Sequence, residues 1–313
     1  MTAALVGGPD RGATALVRAL VREVAGANRP SVRRPLVALR RARLAVGDPP
    51  IAWNLDGTEL LLPLSHELPV HRAAHPDYSR NLGVVVAAVA AEHPGTTLVD
   101  IGANVGDSVA IVRAVADVPI LCVEGDDHFL PYLRSNAAGV VDVEIDASYV
   151  ATTVGLKAVE RRGGTARLVE ASDPGAEALA VRSLAEILAD HPRFARPGIV
   201  KIDTDGHDAT ILRAASDLLA EVRPVLFFEH DPAMAAAVGA DDPATIFGHL
   251  AALGYDRFLL YDNRGPLVGV RSAAEVADLE RTSRALDPAS AQPYLDVCAL
   301  ADEPAVLERL TSP

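Results

Sequence analysis

The chain has 313 residues, half of them hydrophobic, and carries 29 Lys and Arg against 42 Asp and Glu, a formal net charge of −13. That length falls between one large domain and two. The apolar fraction can bury a sizeable core, and the acidity argues against a nucleic-acid partner held through its phosphates. Arginine supplies nearly all the positive charge, since Lys157 and Lys201 are the only lysines. Cys122 and Cys298 both sit in apolar runs and read as buried thiols of a reduced protein. No basic stretch followed by an apolar core marks a secretory signal. The long apolar run Leu82 to Ala91 is too short to cross a bilayer. A soluble, cytoplasmic protein with no membrane partner is therefore expected.

In chain order, Ala13 to Val24 has Leu16, Leu20 and Val24 on one stripe and predicts a helix. Arg29 to Arg43 is basic and interrupted by Pro30 and Pro35. Arg40, Arg41 and Arg43 read as a solvated helix face rather than a site for an anionic partner. Ile51 to Leu55 and Thr58 to Leu62 flank Asp56-Gly57, a hairpin signal. Pro63 to Tyr78 reads as irregular, and Leu82 to Ala91 as a helix. From there strands and helices alternate. Strands are predicted at Thr97–Ile101, Ile120–Glu124, Val141–Ile145, Ile199–Asp203 and Val225–Glu229. Helices are predicted at Ser108–Val118, Asp127–Ala137, Ser183–Ala189 and Ala209–Glu221. Gly254 to Tyr261 and Tyr294 to Ala301 supply two closing strands. This is the pattern of an α/β protein with a doubly wound, mostly parallel sheet of seven strands, Rossmann-like, of the class I methyltransferase type. An N-terminal helix-and-hairpin extension, residues 1–81, precedes the domain at 82–313.

The most informative run is Leu98 to Asp107, Leu-Val-Asp-Ile-Gly-Ala-Asn-Val-Gly-Asp. An apolar strand leads into a turn of small residues, and a helix follows, so a ligand can approach the backbone there. The spacing is G-x-N-x-G after an acid, not the G-x-G-x-x-G of a dinucleotide fingerprint. A second strand, Ile120 to Val123, ends at the acid Glu124, where a carboxylate can accept two ribose hydroxyls. Turn and acid together are the mark of S-adenosylmethionine (SAM) binding. With Lys201-Ile-Asp-Thr-Asp-Gly-His-Asp208 and Arg223-Pro-Val-Leu-Phe-Phe-Glu229, the chain resembles the FkbM family of SAM-dependent methyltransferases over roughly Leu98 to Asp231. One departure is plain: Asp205 and Asp208 stand where the family usually has Glu. The resemblance implies O-methylation of a small hydroxylated acceptor, a sugar or a polyketide-type natural product.

In that reading Asp100, Gly102, Asn104, Gly106 and Asp107 lie along the methionine end of the cofactor, Glu124 along the ribose, and Asp146 and Ser148 near the adenine. Asp107 also reads as a helix cap. His207, Asp205 and Asp203 form the catalytic group, with His207 as general base or bystander. His66, His71, Tyr78, Glu229 and His230 are the candidate acceptor contacts. The segment from His66 to Tyr78 reads as a lid over the acceptor site. Asp203 and Glu229 could hold Mg²⁺ through oxygen ligands. A metal-free, acid-lined pocket is the favoured reading, because acids beside a cationic cofactor make electrostatic sense alone. N-methylation and a catalytically inactive SAM-binding protein stay open as alternatives. A nicotinamide dehydrogenase is disfavoured by Asn104 in place of a glycine. A homo-oligomer is compatible with the sequence.

Overall fold

The computed structural model describes residues 6–26, 29–150, 157–162, 165–170, 181–240, 242–286 and 293–312, the two segments between 157 and 170 by their backbone alone. The extension opens with α1 (Arg11–Ala25), capped by Asp10, whose side chain accepts from the Ala13 N–H. Next come α2 (Pro30–Leu44) and the antiparallel pair β1 (Pro50–Leu55) and β2 (Thr58–Pro63). Asp56 and Gly57 turn between those strands with positive φ, as the sequence predicts. α3 (Leu68–Ala74) occupies a stretch expected to be irregular. α4 is Arg80–Glu92.

The alternating part follows as β3 (Leu98–Ile101), α5 (Asp107–Arg113), β4 (Ile120–Val123), α6 (Leu130–Ala137) and β5 (Val143–Asp146). Short pairs come next: β6 (Tyr149–Val150), β7 (Lys157–Arg162), β8 (Thr165–Glu170) and β9 (Val181–Arg182). Then come α7 (Leu184–Asp190), β10 (Ile199–Ile202), α8 (Asp208–Ala214), α9 (Ser216–Val222) and β11 (Val225–His230). The chain closes with α10 (Pro232–Ala237), α11 (Ile246–Ala252), β12 (Arg257–Asp262), β13 (Leu267–Ser272), α12 (Val276–Arg284), β14 (Leu295–Leu300) and α13 (Pro304–Thr311). The single helix expected over Ala209–Glu221 is two, α8 and α9, divided at Ala215.

The central sheet has eight strands, in the order β13-β12-β14-β11-β10-β3-β4-β5. β3, β4, β5, β10 and β11 run parallel; β14, β12 and β13 pair antiparallel. The expectation was seven. The additional strand is β13, an edge strand without a fully buried residue, so it lacks the alternating pattern that betrays a half-buried strand. β3, β4 and β10 are buried at every position because helices cover both faces of the sheet. Val99, Leu121 and Val200 point into one core cluster; Leu98, Ile120, Cys122, Ile199 and Cys298 point into the other. Both cysteines are free and buried, as expected.

The extension does not pack as a separate body. Its apolar residues Val17, Ile51, Leu60 and Leu64 share one cluster with Val105, Ile111, Phe129 and Tyr132 of the sheet domain. Asn136 of α6 clamps β2, accepting from the Leu61 N–H at 2.8 Å and donating to the Leu61 carbonyl at 2.9 Å. Arg40 also departs from expectation. Only 11 % of its side chain is exposed; it donates to the carbonyls of Leu64, Ser65 and His66 and pairs with Glu67. It is a strut for the loop before α3, not part of a solvated face.

Candidate active site

The registers of the sheet place the site. Cys122, Asp100, Lys201, Phe227, Cys298 and Leu259 are neighbours in one row across six strands. Two residues further on each parallel strand, at its carboxyl end, stand Glu124, Gly102, Asp203 and Glu229. From antiparallel β14, Asp296 faces Glu229 on one side and Tyr261 on the other. Carboxyl ends of parallel strands near a reversal of strand order are where such sheets bind ligands.

Two adjoining cavities open along this rim. The smaller, about 520 Å³ including space open to solvent, is walled by Gly102, Asn104, Glu124, Gly125, Phe129, Ser148, Tyr149 and Val150. The larger, about 1390 Å³ on the same measure, runs from His66, His71 and Tyr78 past Asp107 and Lys201 to Glu229, Tyr294 and Asp296. Gly102, Asn104, Asp203 and Asp205 border both, so the two cavities adjoin along a shared wall.

In the smaller cavity Glu124 is the anchor. One carboxylate oxygen accepts from the Asn104 N–H at 2.8 Å, the other from the Asp126 N–H at 2.7 Å. These bonds hold the turn to the second strand and leave each oxygen a further lone pair for a ligand. Burial pushes this carboxyl up to about 7, against the pull of the two N–H groups. Gly102 has φ +77, and a Cβ there would lie 1.9 Å from the Asp203 carbonyl oxygen. The glycine is required by the close approach of the loop after β10 as well as by its turn. At Gly125 a Cβ would strike the Tyr149 ring at 2.4 Å, so this glycine lets Tyr149 close over the cavity.

The larger cavity centres on Lys201. Its Nζ lies 2.9 Å from Asp100 Oδ1 and 3.6 Å from Asp203 Oδ2, and it donates to the Gly102 carbonyl at 3.0 Å. Burial pulls the ammonium's pKa down, but Asp100 and Asp203 raise it further, so it stays charged. Asp107 is pushed up to about 6, by burial first and by Asp100 and Asp203, while Lys201 opposes the shift. Burial among Asp203, Asp208 and Asp205 holds Glu229 well above the usual carboxylate range. His66 is fixed by its neighbours: its Nδ1 accepts from the Leu68 N–H at 3.2 Å and its Nε2 lies 3.3 Å from Asn104 Oδ1. Burial lowers its pKa to about 4, so the ring is neutral and Nε2 donates to Asn104. His71 stacks on Tyr78 with centroids 5.3 Å apart.

Several expected site residues do not reach a cavity wall. Asp100 is 0 % exposed; its oxygens are taken by Lys201 and the Ser108 hydroxyl, so it supports the wall from behind. Gly106 serves packing, since a Cβ there would meet Leu133 Cδ1 at 2.9 Å and its φ is +82. Asp146 turns to Arg182 and His191, at 3.1 and 3.3 Å, leaving Ser148 and Tyr149 at the cavity. His230 is 2 % exposed, bonded to the Ser283 hydroxyl at 2.6 Å and packed on Phe247; it lies one residue past Glu229, on the opposite face of the strand. His207 occupies the N-cap position of α8 and borders neither cavity, whereas Asp203 and Asp205 border both. Asp107 is the first residue of α5 and lines the larger cavity. Sequence reasoning missed Asn81, Phe129, Tyr149, Tyr294 and Asp296. The last two carried a signal, an acid and an aromatic at the start of a strand that had to end on this rim.

Among the described residues no group of three or more His, Cys, Asp or Glu side chains is arranged to hold a metal ion. No helix among them is long and apolar enough to cross a membrane.

The strand order and the rim site define a class I methyltransferase fold. Residues 100–257 match the Methyltransferase FkbM domain, half of the chain, and the chain belongs to that family. Similar solved structures include a methyltransferase FkbM from Methylobacillus flagellatus, 16 % identical, with a TM-score of 0.31. That likeness covers 44 % of this chain and 33 % of the other, so the chain spans about a third of its relative's length. A precorrin-6y C5,15-methyltransferase from Geobacter metallireducens is 14 % identical over 70 % of this chain and 87 % of its own, with a TM-score of 0.35. A magnesium protoporphyrin IX methyltransferase from Synechocystis, solved with bound SAM, is 12 % identical over 75 % and 82 %, with a TM-score of 0.40. No curated protein matches the chain significantly.

Proposed function

We propose that the chain binds SAM and methylates a hydroxyl of a small molecule held in the larger cavity. The observation that carries this reading is the pair of adjoining cavities, one walled by Glu124 and the other by Asp203, Glu229 and Asp296, with Gly102, Asn104, Asp203 and Asp205 common to both. The residues present fit the cofactor. Glu124 keeps lone pairs for two ribose hydroxyls, Ser148 and Tyr149 offer a polar edge and a ring for the base, and the acids of the rim suit a cation. When bound, SAM supplies a methyl group on an electron-poor sulfonium. The chain's part is to align an acceptor oxygen with that methyl and to keep water out.

The acceptor is read from the wall of the larger cavity. It carries Glu67, Asp107, Asp203, Asp205, Glu229, Asp231 and Asp296 against one lysine, itself paired with Asp100. Such a wall repels phosphate and carboxylate groups. It favours a neutral or amine-bearing polyol, and Tyr78 and Tyr294 add faces for a sugar or polyketide ring. The same acid excess favours N-methylation as the second reading. Titrating the protein with SAM and with NAD, then assaying hydroxylated and amino acceptors, neutral and phosphorylated, tests all of this. Preference for a phosphorylated acceptor, or binding of NAD but not SAM, would refute it.

A further inference from the structure

We propose that Asp296 takes the acceptor's proton during methyl transfer and that Asn81 determines which of its two oxygens does so, an inference that rests on the methyl-transfer reading above. Neither residue lies within the matched family domain at 100–257. Both line the larger cavity.

Asp296 is the second residue of β14, the strand that enters the rim from the opposite direction to its neighbours. Asn81 comes from the first turn of α4, which Ser79 starts from a left-handed conformation, φ +61. Its side-chain oxygen accepts from the Leu82 N–H at 3.1 Å. A backbone N–H can only donate, so the amide orientation is settled: Nδ2 donates to Asp296 Oδ2, at 2.7 Å. An N–H aimed at Oδ2 disfavours a proton there. No described residue hydrogen-bonds Oδ1, which is left to receive one.

The two neighbours of Asp296 on the rim, Glu229 and Asp203, are worse placed. Burial among carboxylates raises Glu229 well above the usual carboxylate range, which disfavours its ionised form. The charge of Asp203 is balanced by Lys201, and 53 % of its side chain is in solvent. Burial brings Asp296 up to about 7; the Asn81 bond and Lys201 pull it down, Asp203 and Asp262 push it up. Glu229 and Tyr261 face it from the neighbouring strands, and Tyr78 and Tyr294 lie close enough to feel its charge. A base with a pKa near the working pH is the most effective one. In the step itself, the acceptor oxygen gives its proton to Oδ1 as it bonds the methyl carbon. The electron pair of the broken carbon–sulfur bond stays on sulfur, and the proton later leaves to water through the cavity mouth.

Asp296→Asn keeps the size of the side chain and an oxygen for Asn81. It should leave SAM affinity unchanged and lower turnover ~10²–10⁴-fold, the usual span for loss of a general base. Carbon-13 NMR of aspartate-labelled protein, without cofactor, provides a second readout. The carboxyl signal absent from Asp296→Asn should titrate near neutral pH. In Asn81→Ala it should move to higher pH, because a bond favouring the ionised form is gone, and the rising limb of the pH–rate profile should move with it. Wild-type turnover in Asp296→Asn, or a signal that titrates below about pH 5 where an ordinary aspartate does, overturns the proposal. Should wild-type protein not bind SAM at all, the methyl-transfer reading falls, while the NMR titration still reports Asp296 by itself.

Discussion

Replacing Glu124 by glutamine is the sharpest test of the cofactor site. The carboxylate is 8 % exposed and already accepts one N–H on each oxygen. A ligand's two ribose hydroxyls would add two hydrogen bonds to a charged acceptor, and losing such bonds costs about 1.5–3 kcal/mol. At 1.4 kcal/mol per decade, the SAM dissociation constant should rise ~10- to 150-fold in Glu124→Gln. Alanine would strand the N–H groups of both Asn104 and Asp126, at about 1–3 kcal/mol each. Glutamine strands only the one that its amide nitrogen faces, so its melting temperature is measured beside its affinity. The pH dependence adds a second signature. The folded carboxyl sits up at about 7, and the hydroxyls bond its ionised form. Affinity should therefore be full above that pH and fall about tenfold per unit below it, with proton release on binding near neutrality. Isothermal titration in buffers of different ionisation enthalpy measures both effects. A folded Glu124→Gln with wild-type affinity, or a wild-type affinity that stays flat from about pH 5.5 to 8.5, would refute the ribose assignment.

Other outcomes follow from the geometry. His207→Ala should keep turnover within about tenfold of wild type, well short of the loss a missing base causes; a larger fall restores His207 to the chemistry. Gly106→Ala should lose at least ~1–2 kcal/mol in urea unfolding, since alanine there must adopt φ +82 against Leu133. Deleting residues 1–80 should give no cooperatively folding protein, because Val105, Ile111, Phe129 and Tyr132 lose the apolar partners that cover them; a sharp melt of the truncated chain would contradict this. Exhaustive EDTA treatment should leave turnover intact, and activity lost and then restored by Mg²⁺ would make Asp203 and Glu229 its ligands.

What the sequence disclosed divides along the cavity. The cofactor half comes from a contiguous run, Leu98 to Tyr149, in which each strand ends in the turn or acid that serves the site. Gly102, Asn104 and Glu124, marked by spacing, and Ser148, marked by position, all line the smaller cavity. The acceptor half is assembled from α4, β10, β11 and β14, over 200 residues apart in sequence. Nothing local distinguishes Asn81 from a helix residue, and Asp296 has only its place at the start of a closing strand to mark it. His207 and His230 border neither cavity. His230 is one residue past Glu229, on the other face of the strand, and His207 is two residues past Asp205, at the cap of the next helix. Asp146 was placed by position alone, and its neighbour Arg182 comes from a segment whose pairing the sequence does not foretell.

The position of β14 also bears on how the molecule is made. Of the sheet's strands it is the last in chain order, yet it lies inside the sheet, between β11 and β12. Until it arrives, those two strands present bare hydrogen-bonding edges toward each other across an empty slot, the kind of surface that pairs with other chains. Everything up to Leu300 must be made before the sheet can close. The same insertion delivers Asp296 to the rim, so a chain without β14 in place lacks both its central seam and one wall of the larger cavity.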